Sequence, residues 1–348
     1  MVAMGCAPRG AMVFAPSPVG GAEHDILVAT TRLPYAESAD YSRKRSLAMS
    51  FAEYTVSVPP AHQPGQVEWP DKTPDPAKDF VMTDYERFNS ATGFSRAVAI
   101  KTRALPAGQR EAVIFVHGYN NNMAEAVYRF TQMQLDFGFR SVPILYSWPS
   151  AASGSDYLYD RDSILFARTG LETLIDQISQ TPVERIVLIG HSMGTQLVME
   201  ALRQRAIRNG GLWPKLQMVT LIAPDVDIDL FRAQARDIGT LPKPFVVFTS
   251  GKDRALRVSE WLSGSDDKLG TIENLNRLSE LDITVIDTTA VAGGIDNHLT
   301  AVTSPFMISM LKGFRAKQSL NLDRPSIAEG LPVRIVSNGK AVGLVLAP

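Results

Sequence analysis

The sequence predicts an α/β protein built on a doubly wound, mostly parallel sheet. From Phe94 onward, short apolar runs alternate with segments whose apolar residues recur at helical spacing, which is the pattern of a parallel sheet covered by helices on both faces. The chain has 348 residues, of which 45% are hydrophobic and 20% charged, so it is long enough to bury such a core.

The predicted elements follow in chain order. Two apolar segments near the amino end, Asp25–Arg32 and Ala48–Val58, are expected to be edge strands. Six prolines exclude regular structure from 59 to 78. The predicted strands of the main sheet are Ala97–Thr102, Glu111–Val116, Pro143–Ser147, Arg185–Ile189, Gln217–Ile222, Phe245–Thr249 and Asp282–Ile286. The predicted helices cover 123–136, 156–179, 195–208, 229–237, 258–263 and 299–316.

The segments outside this alternation define the predicted domain limits. Residues 1–22, rich in Ala, Gly and Pro, are expected to be a disordered leader before one domain over 23–317. A C-terminal extension, 318–348, contains Asn338-Gly339 between two apolar runs, which predicts a hairpin. The polar segment 264–280 is interpreted as a lid or as a surface excursion.

Charge and cysteine content exclude several kinds of partner. The net charge of −1 and the absence of a Lys/Arg-rich run argue against nucleic acid, because phosphate neutralisation needs clustered positive charge. The single cysteine, Cys6, excludes an intrachain disulfide and a cysteine-based metal site. No apolar window approaches the roughly 20 residues of a membrane-spanning helix.

The amino-terminal residues leave the location of the protein open. Small residues precede Cys6 as at the end of a bacterial lipoprotein signal, but the charged start and apolar stretch of such a signal are missing. If the start was trimmed, we expect a lipoprotein or periplasmic protein of the bacterial envelope, in contact with the membrane through a lipidated Cys6. Otherwise we expect a cytoplasmic protein.

The stretch from Arg185 to Leu197 predicts a catalytic serine. An apolar strand is followed by Gly190-His191-Ser192-Met193-Gly194 and then by a predicted helix. The glycines two residues before and after Ser192 allow strand and helix to approach closely at a sharp turn that presents the hydroxyl. This Gly-x-Ser-x-Gly pattern is typical of a nucleophile elbow, so we expect Ser192 to be the nucleophile.

An activated serine needs a base, and the base needs an acid that orients it. Of the five histidines, only His298 follows the last predicted parallel strand, and it is the expected base. Asp253, directly after the apolar strand Phe245–Thr249, is the expected acid. Asp225, after the preceding strand, remains the alternative acid.

A second loop is expected to bind the oxyanion. The strand Glu111–Val116 runs into a His117-Gly118 turn, where the backbone N–H of Tyr119 would form a two-donor oxyanion hole with the N–H of Met193. Substrate contacts are assigned to His117, Gly118, Tyr146 and Trp148. For Tyr146, Trp148 and Tyr119, a role in core packing is an open alternative.

These motifs resemble those of the α/β-hydrolase superfamily, over roughly residues 95–316. The resemblance is carried by Phe115–Asn120, Tyr146-Ser147-Trp148-Pro149, Gly190–Gly194 and Gly251–Leu256, which look like a bacterial branch of unknown function. The resemblance implies an esterase-like activity with Ser192, Asp253 and His298 as nucleophile, acid and base. Many relatives begin as lipoproteins, which would fit Cys6.

The predicted function is hydrolysis of carboxylic esters with short or medium acyl chains through an acyl-enzyme intermediate. A small-molecule ester is therefore the expected partner, and the mechanism requires no cofactor or metal. Within enzymes, the alternative is an amidase, lactonase or thioesterase with the same triad. A non-catalytic envelope protein of the same fold is the alternative from another class.

Overall fold

The computed structural model describes residues 10–263, 267–272, 275–291, 298–305, 307–309, 334–337 and 340–343. Its strands are β1 (Ala22–Pro34), β2 (Tyr41–Val58), β3 (Val81–Phe88), β4 (Glu111–Val116), β5 (Val142–Ser147), β6 (Arg185–His191), β7 (Leu216–Ile222), β8 (Phe245–Thr249), β9 (Thr284–Asp287), β10 (Arg334–Ser337) and β11 (Lys340–Gly343). Its helices are α1 (Ala91–Arg103), α2 (Met123–Asp136), α3 (Tyr157–Ser179), α4 (Met193–Asn209), α5 (Ile228–Ile238), α6 (Arg254–Ser263) and α7 (Thr300–Thr303).

The strands form one sheet of eleven in the order β11-β10-β9-β8-β7-β6-β4-β5-β1-β2-β3. Strands β1, β5, β4, β6, β7, β8 and β9 run parallel to one another. Antiparallel pairs complete both edges, β2 and β3 on one side and the hairpin β10–β11 on the other. The predicted doubly wound, mostly parallel sheet with N-terminal strands and a C-terminal hairpin is therefore confirmed, although residues 338–339 of the turn lie outside the described residues.

Helices cover both faces of the sheet, and successive side chains of each strand point to opposite faces. In β4, Ala112, Ile114 and Val116 pack with α1, α3, α4 and α5 on one face. Val113 and Phe115 face the opposite side, where α2 and the residues after His298 pack. Parallel strands buried on both faces are apolar throughout, which explains why these runs were recognisable in the sequence.

Three sequence predictions about the strands differ from the structure. The segment Ala97–Thr102 is not a strand but lies in α1, where Ser90 caps the helix and Phe94, Val98 and Thr102 form its buried face. Neither of the two expected edge strands is an edge, because β1 pairs with both β2 and β5 and β2 pairs with both β1 and β3. The edge is β3, which the sequence analysis did not predict because only its first residues are buried.

One segment that was expected to be disordered and one that was left open are packed against the domain. Residues 10–15, part of the predicted disordered leader, run beside β3, with Met82 N donating to Val13 O at 2.8 Å. Residues 267–272 lie beside the loops after β7 and β8, with Leu269 fully buried. Cys6, residues 318–333 and the end of the predicted helix 299–316 lie outside the described residues. Within the described residues, no helix has the length and apolarity needed to cross a membrane.

Candidate active site

Ser192 lies at the sharp turn between β6 and α4, at the carboxyl edge of the sheet. Its backbone has φ of 52° and ψ of −127°, a conformation that side-chain-bearing residues rarely adopt. The strained turn is held because Ser192 N donates to Ile222 O at 2.9 Å and Asp225 N donates to Ser192 O at 3.3 Å. The elbow is therefore anchored to the neighbouring strand β7.

Both glycines of the elbow lie in close contact with neighbouring backbone atoms. A Cβ on Gly194 would lie 2.7 Å from Val116 O and closer still to His117 O, and both are rigid backbone atoms. A Cβ on Gly190 would lie 3.1 Å from Thr195 Cα. The helix can start this close to β4 only if position 194 has no side chain.

His298 and Asp253 meet at the same edge of the sheet. His298 Nδ1 lies 2.8 Å from Asp253 Oδ2, and the Asp253 side chain is fully buried. The other carboxylate oxygen of Asp253 accepts from Leu256 N at 3.0 Å, which caps the first turn of α6. The ring of His298 lies 4.7 Å from the ring of His191, the residue before Ser192. The residues predicted as acid and base are thus hydrogen-bonded to each other beside the elbow.

Asp225, the alternative acid, has other partners. Its carboxylate accepts from Ser259 Oγ at 2.6 Å and from Tyr157 Oη at 3.2 Å, and it forms an ion pair with Lys268 at 2.9 Å. All four of these residues are buried. The polar cluster connects the loop after β7 with α3, α6 and the segment 267–272.

The loop from His117 to Asn122 lies against the elbow. A Cβ on Gly118 would lie 2.8 Å from Ser192 Cβ, so this loop passes directly beside the serine. Asn120 has a positive φ of 58°, which asparagine tolerates better than most residues. The phenol of Tyr119 donates to Ser153 O at 3.1 Å, and burial followed by the nearby charge of Asp160 raises its pKa to about 12.

Three side chains predicted to contact substrate are buried inside the protein. His117, Tyr146 and Trp148 are at most 1% exposed. The Tyr146 hydroxyl donates to Ala167 O at 2.6 Å, whereas Trp148 Nε1 donates to His117 O at 2.7 Å. The rings of His117 and Trp148 stack at 5.0 Å. In this conformation these groups support the loops around Ser192 and do not line an open surface.

His191 lies between the loop from His117 to Asn122 and His298. A Cβ on Gly118 would meet its Nδ1 at 2.7 Å, and its ring lies 4.7 Å from the His298 ring. Burial, and then the neighbouring His298, holds the pKa of His191 well below its ordinary value. A neutral imidazole therefore packs between the two loops.

Two buried charged residues near the site, Arg32 and Asp160, are not predicted from the sequence, and Ser147 is predicted only as part of a motif. Arg32 is buried at the end of β1, and its guanidinium reaches the loops after β4 and β5. Asp160 is buried at the start of α3, and its carboxylate accepts from Ala151 N and Asn120 N. For Arg32, the signal in the sequence is a charged residue near the end of β1, after the apolar run Ile26–Ala29. Within the described residues, no cluster of three or more His, Cys, Asp or Glu is placed to hold a metal ion.

The comparison with known families finds one match. The sequence model of the family described as "Alpha/beta hydrolase of unknown function (DUF900)" matches residues 95–315. That range runs from α1 to beyond α7 and includes Ser192, Asp253 and His298. No curated protein matches the chain.

Several solved esterase structures are similar to the chain at low identity. Esterase B from Lactobacillus rhamnosis is 12% identical over 87% of this chain and 90% of its own, with a TM-score of 0.39. An esterase from Pyrobaculum calidifontis is 14% identical over 60% of this chain and 75% of its own, with a TM-score of 0.35. Est1E from Butyrivibrio proteoclasticus is 13% identical over 60% of this chain and 88% of its own, with a TM-score of 0.35.

Proposed function

The chain belongs to a family of α/β hydrolases of unknown function, and from this premise we propose that it is a serine hydrolase that cleaves carboxylic esters. The observation that carries the proposal is the hydrogen bond between His298 Nδ1 and Asp253 Oδ2, formed beside a serine in a strained turn. A carboxylate on Nδ1 selects the imidazole tautomer whose Nε2 can accept a proton.

In the proposed reaction, Ser192 Oγ attacks the ester carbonyl while its proton passes to His298 Nε2. The negative charge that develops on the carbonyl oxygen is stabilised by the N–H groups of Tyr119 and Met193. Collapse of this intermediate breaks the bond to the alcohol, which leaves with the proton from His298. A water molecule then gives a proton to His298 and attacks the acyl-enzyme, and collapse of this second intermediate returns the proton from His298 to Ser192 Oγ and releases the carboxylic acid.

The strain at Ser192 and the buried acid support this assignment of roles. A serine held at positive φ is retained where the surrounding structure over-determines it, and here two backbone hydrogen bonds and two close glycine contacts do so. Burial of Asp253 excludes water from its bond to His298, which strengthens that bond. Asp225 has a lysine, a tyrosine and a serine as partners, which favours Asp253 as the acid.

The proposal is tested by hydrolysis of p-nitrophenyl esters of increasing acyl length, beside a p-nitroanilide and a thioester. We expect turnover of short or medium esters by the wild-type protein and loss of turnover in Ser192→Ala. A matched control is Ser250→Ala, which removes another buried serine hydroxyl at the same sheet edge and should retain activity. A fluorophosphonate should label Ser192 in the wild-type protein.

Equal turnover by wild type and Ser192→Ala would overturn the proposal, as would a fluorophosphonate adduct on another residue. Turnover of the anilide or the thioester in preference to every ester would assign the same residues to an amidase or thioesterase. A wild-type protein that neither hydrolyses these substrates nor reacts with fluorophosphonate would support a non-catalytic role.

A further inference from the structure

Arg32 is a buried cation behind the loop that lies against Ser192. Its side chain is 1% exposed, and all of its nitrogens donate hydrogen bonds. Nε donates to Ser147 Oγ at 3.0 Å, Nη1 to Ser150 O at 3.0 Å and Nη2 to Asn121 O at 2.8 Å. Burial lowers the pKa of Arg32 to about 10, against the opposing effect of Asp160, so the guanidinium stays charged at neutral pH. These three acceptors are neutral, so they leave the positive charge without direct compensation.

The hydrogen bonds that lead away from Arg32 have a defined direction. A carbonyl oxygen can only accept, so the 2.9 Å contact between His117 Nδ1 and Gly118 O requires a proton on Nδ1. Burial, with the charge of Arg32, lowers the pKa of His117 to about 3, so its ring is neutral and Nε2 carries no proton. In that tautomer Nε2 accepts from Ser147 Oγ at 3.2 Å. Ser147 Oγ in turn accepts from Arg32 Nε.

The last acceptor in this series of hydrogen bonds is the carbonyl of Gly118. It belongs to the same peptide group as the N–H of Tyr119, which is a proposed oxyanion donor. In a trans peptide, the carbonyl of Gly118 and the N–H of Tyr119 point in opposite directions. Gly118 O is held by His117 Nδ1 and also accepts from Asn121 Nδ2 at 3.3 Å, and these bonds together set the direction of the Tyr119 N–H. Each hydrogen bond in a chain also polarises the next, so an amide whose carbonyl accepts a proton is a stronger N–H donor.

The far side of the same loop is held by Arg32 and Asp160. Arg32 binds the carbonyl of Asn121, while Asp160 accepts from Asn120 N at 3.3 Å. Ser150 connects the two charges, since its carbonyl accepts from Arg32 and its hydroxyl donates to Asp160 at 2.6 Å. The loop thus cannot rotate its peptides without breaking bonds to a buried cation or a buried carboxylate.

We infer that Arg32, Ser147 and His117 form a hydrogen-bond relay that orients and polarises the Gly118–Tyr119 peptide, and that they are positioning residues for the oxyanion hole. The relay rests on the proposed function, in which this peptide donates to the developing oxyanion. It assigns His117 a role different from substrate contact, in agreement with its burial. It also explains why a charged arginine occupies the interior end of β1.

Ser147→Ala tests the relay, with Thr30→Val as its matched control. Both changes remove one buried hydroxyl from the same region, but the Thr30 hydroxyl accepts from Arg32 N at 3.0 Å and donates to Ser147 O at 2.6 Å, so it binds only backbone groups of these residues and none of the side chains in the relay. Loss of an entire oxyanion donor lowers kcat by about 10² to 10³, so weakening one donor should lower it about tenfold. For Ser147→Ala we expect this loss in kcat with KM within about twofold. The affinity for a trifluoromethyl ketone, which forms a tetrahedral oxyanion, should fall by the same factor.

The outcomes separate the relay from the proposed function. If wild-type protein hydrolyses esters and labels at Ser192, but Ser147→Ala and Thr30→Val have equal kcat, the relay is wrong and the function stands. If wild-type protein shows neither reaction, the proposed function fails first. A loss confined to KM or to thermal stability in Ser147→Ala would reduce the relay to a structural role and overturn the inference.

A spectroscopic measurement tests the direction of these hydrogen bonds in the wild-type protein, so its result does not depend on the folding of a variant. With ¹⁵N-labelled histidine, His117 should appear as the neutral Nδ1–H tautomer at neutral pH. Observation of the Nε2–H tautomer would reverse the direction of the hydrogen bonds and overturn the relay.

Discussion

The carboxylate of Asp225 and the ammonium of Lys268 form a buried ion pair, with 2.9 Å between Oδ1 and Nζ. Asp225 follows β7 and its N–H binds the carbonyl of Ser192, whereas Lys268 belongs to the segment between α6 and β9. The pair therefore joins that segment to the elbow. Asp225 is thus bound by Lys268 and Asp253 by His298, and mutation of each aspartate can separate the effects of the two contacts.

Asp225→Asn should destabilise the fold and spare the chemistry. The substitution leaves Lys268 buried without its countercharge, which costs about 3 to 5 kcal/mol of unfolding free energy. Denaturant unfolding and kcat should be measured on the same preparation, under conditions where the variant is folded. A variant of unchanged stability with kcat reduced several thousandfold would identify Asp225 as the acid.

Asp253→Asn should have the opposite effect. Asparagine still caps α6 through Leu256 N, so we expect a small change in unfolding free energy. It cannot hold His298 in the required tautomer, so kcat should fall by about 10⁴. Ester hydrolysis at saturating substrate measures this effect, and a loss below about tenfold would remove Asp253 from the proposed triad.

Gly194→Ala should be strongly destabilising because the new Cβ would overlap the carbonyls of Val116 and His117. Backbone atoms at the end of a central strand cannot move aside, so we expect a loss of about 3 kcal/mol in unfolding free energy. Gly211→Ala is the matched control, since a Cβ there meets nothing within 4 Å. Equal stability of the two variants would show that the elbow tolerates a side chain at 194.

Stability should depend on pH through His62, which lies between two carboxylates. Its Nδ1 is 2.8 Å from Glu68 and its Nε2 is 3.1 Å from Asp136. Burial alone would lower the pKa of His62, but its hydrogen bonds to Asp136 and Glu68 outweigh burial and raise that pKa. The stabilisation by protonated His62 is therefore complete below its unfolded pKa of about 6.5 and is lost as pH rises through the higher folded value.

The measurement is unfolding free energy against pH from about 5.5 to 9 for wild type and His62→Gln. The wild-type advantage should be largest at the acid end of this window and should shrink toward the alkaline end. The lower limit keeps Asp136, whose pKa is lowered by its bonds to His62 and Gln132 despite burial, ionised throughout. An advantage that grows with pH would contradict the assigned direction.

Strands were predicted correctly where burial on both faces makes the segment continuously apolar. Glu111–Val116 and Phe245–Thr249 agree with β4 and β8 residue for residue, because strands covered on both faces are continuously apolar. The prediction of a strand at Ala97–Thr102 is wrong. This run is also mostly apolar, but it belongs to α1, where Ile100 is 61% exposed on the surface. Local sequence cannot separate a short buried strand from one face of a helix when both are apolar.

Chain order and residue chemistry alone were enough to predict the elbow at Ser192 and to propose His298 and Asp253 as its partners. The short-range spacing of glycines around a serine is a local property, so it can be recognised in a single sequence. Only the tertiary structure decided that Asp253 contacts His298 while Asp225 is bound by Lys268, since both aspartates follow apolar strands. The same holds for Arg32, Ser147 and His117, which β1, β5 and β4 bring together across 115 and 30 residues of chain. Hydrogen-bond direction depends on which polar atoms meet in the interior, and that is set by strand order and register, which a local pattern does not contain.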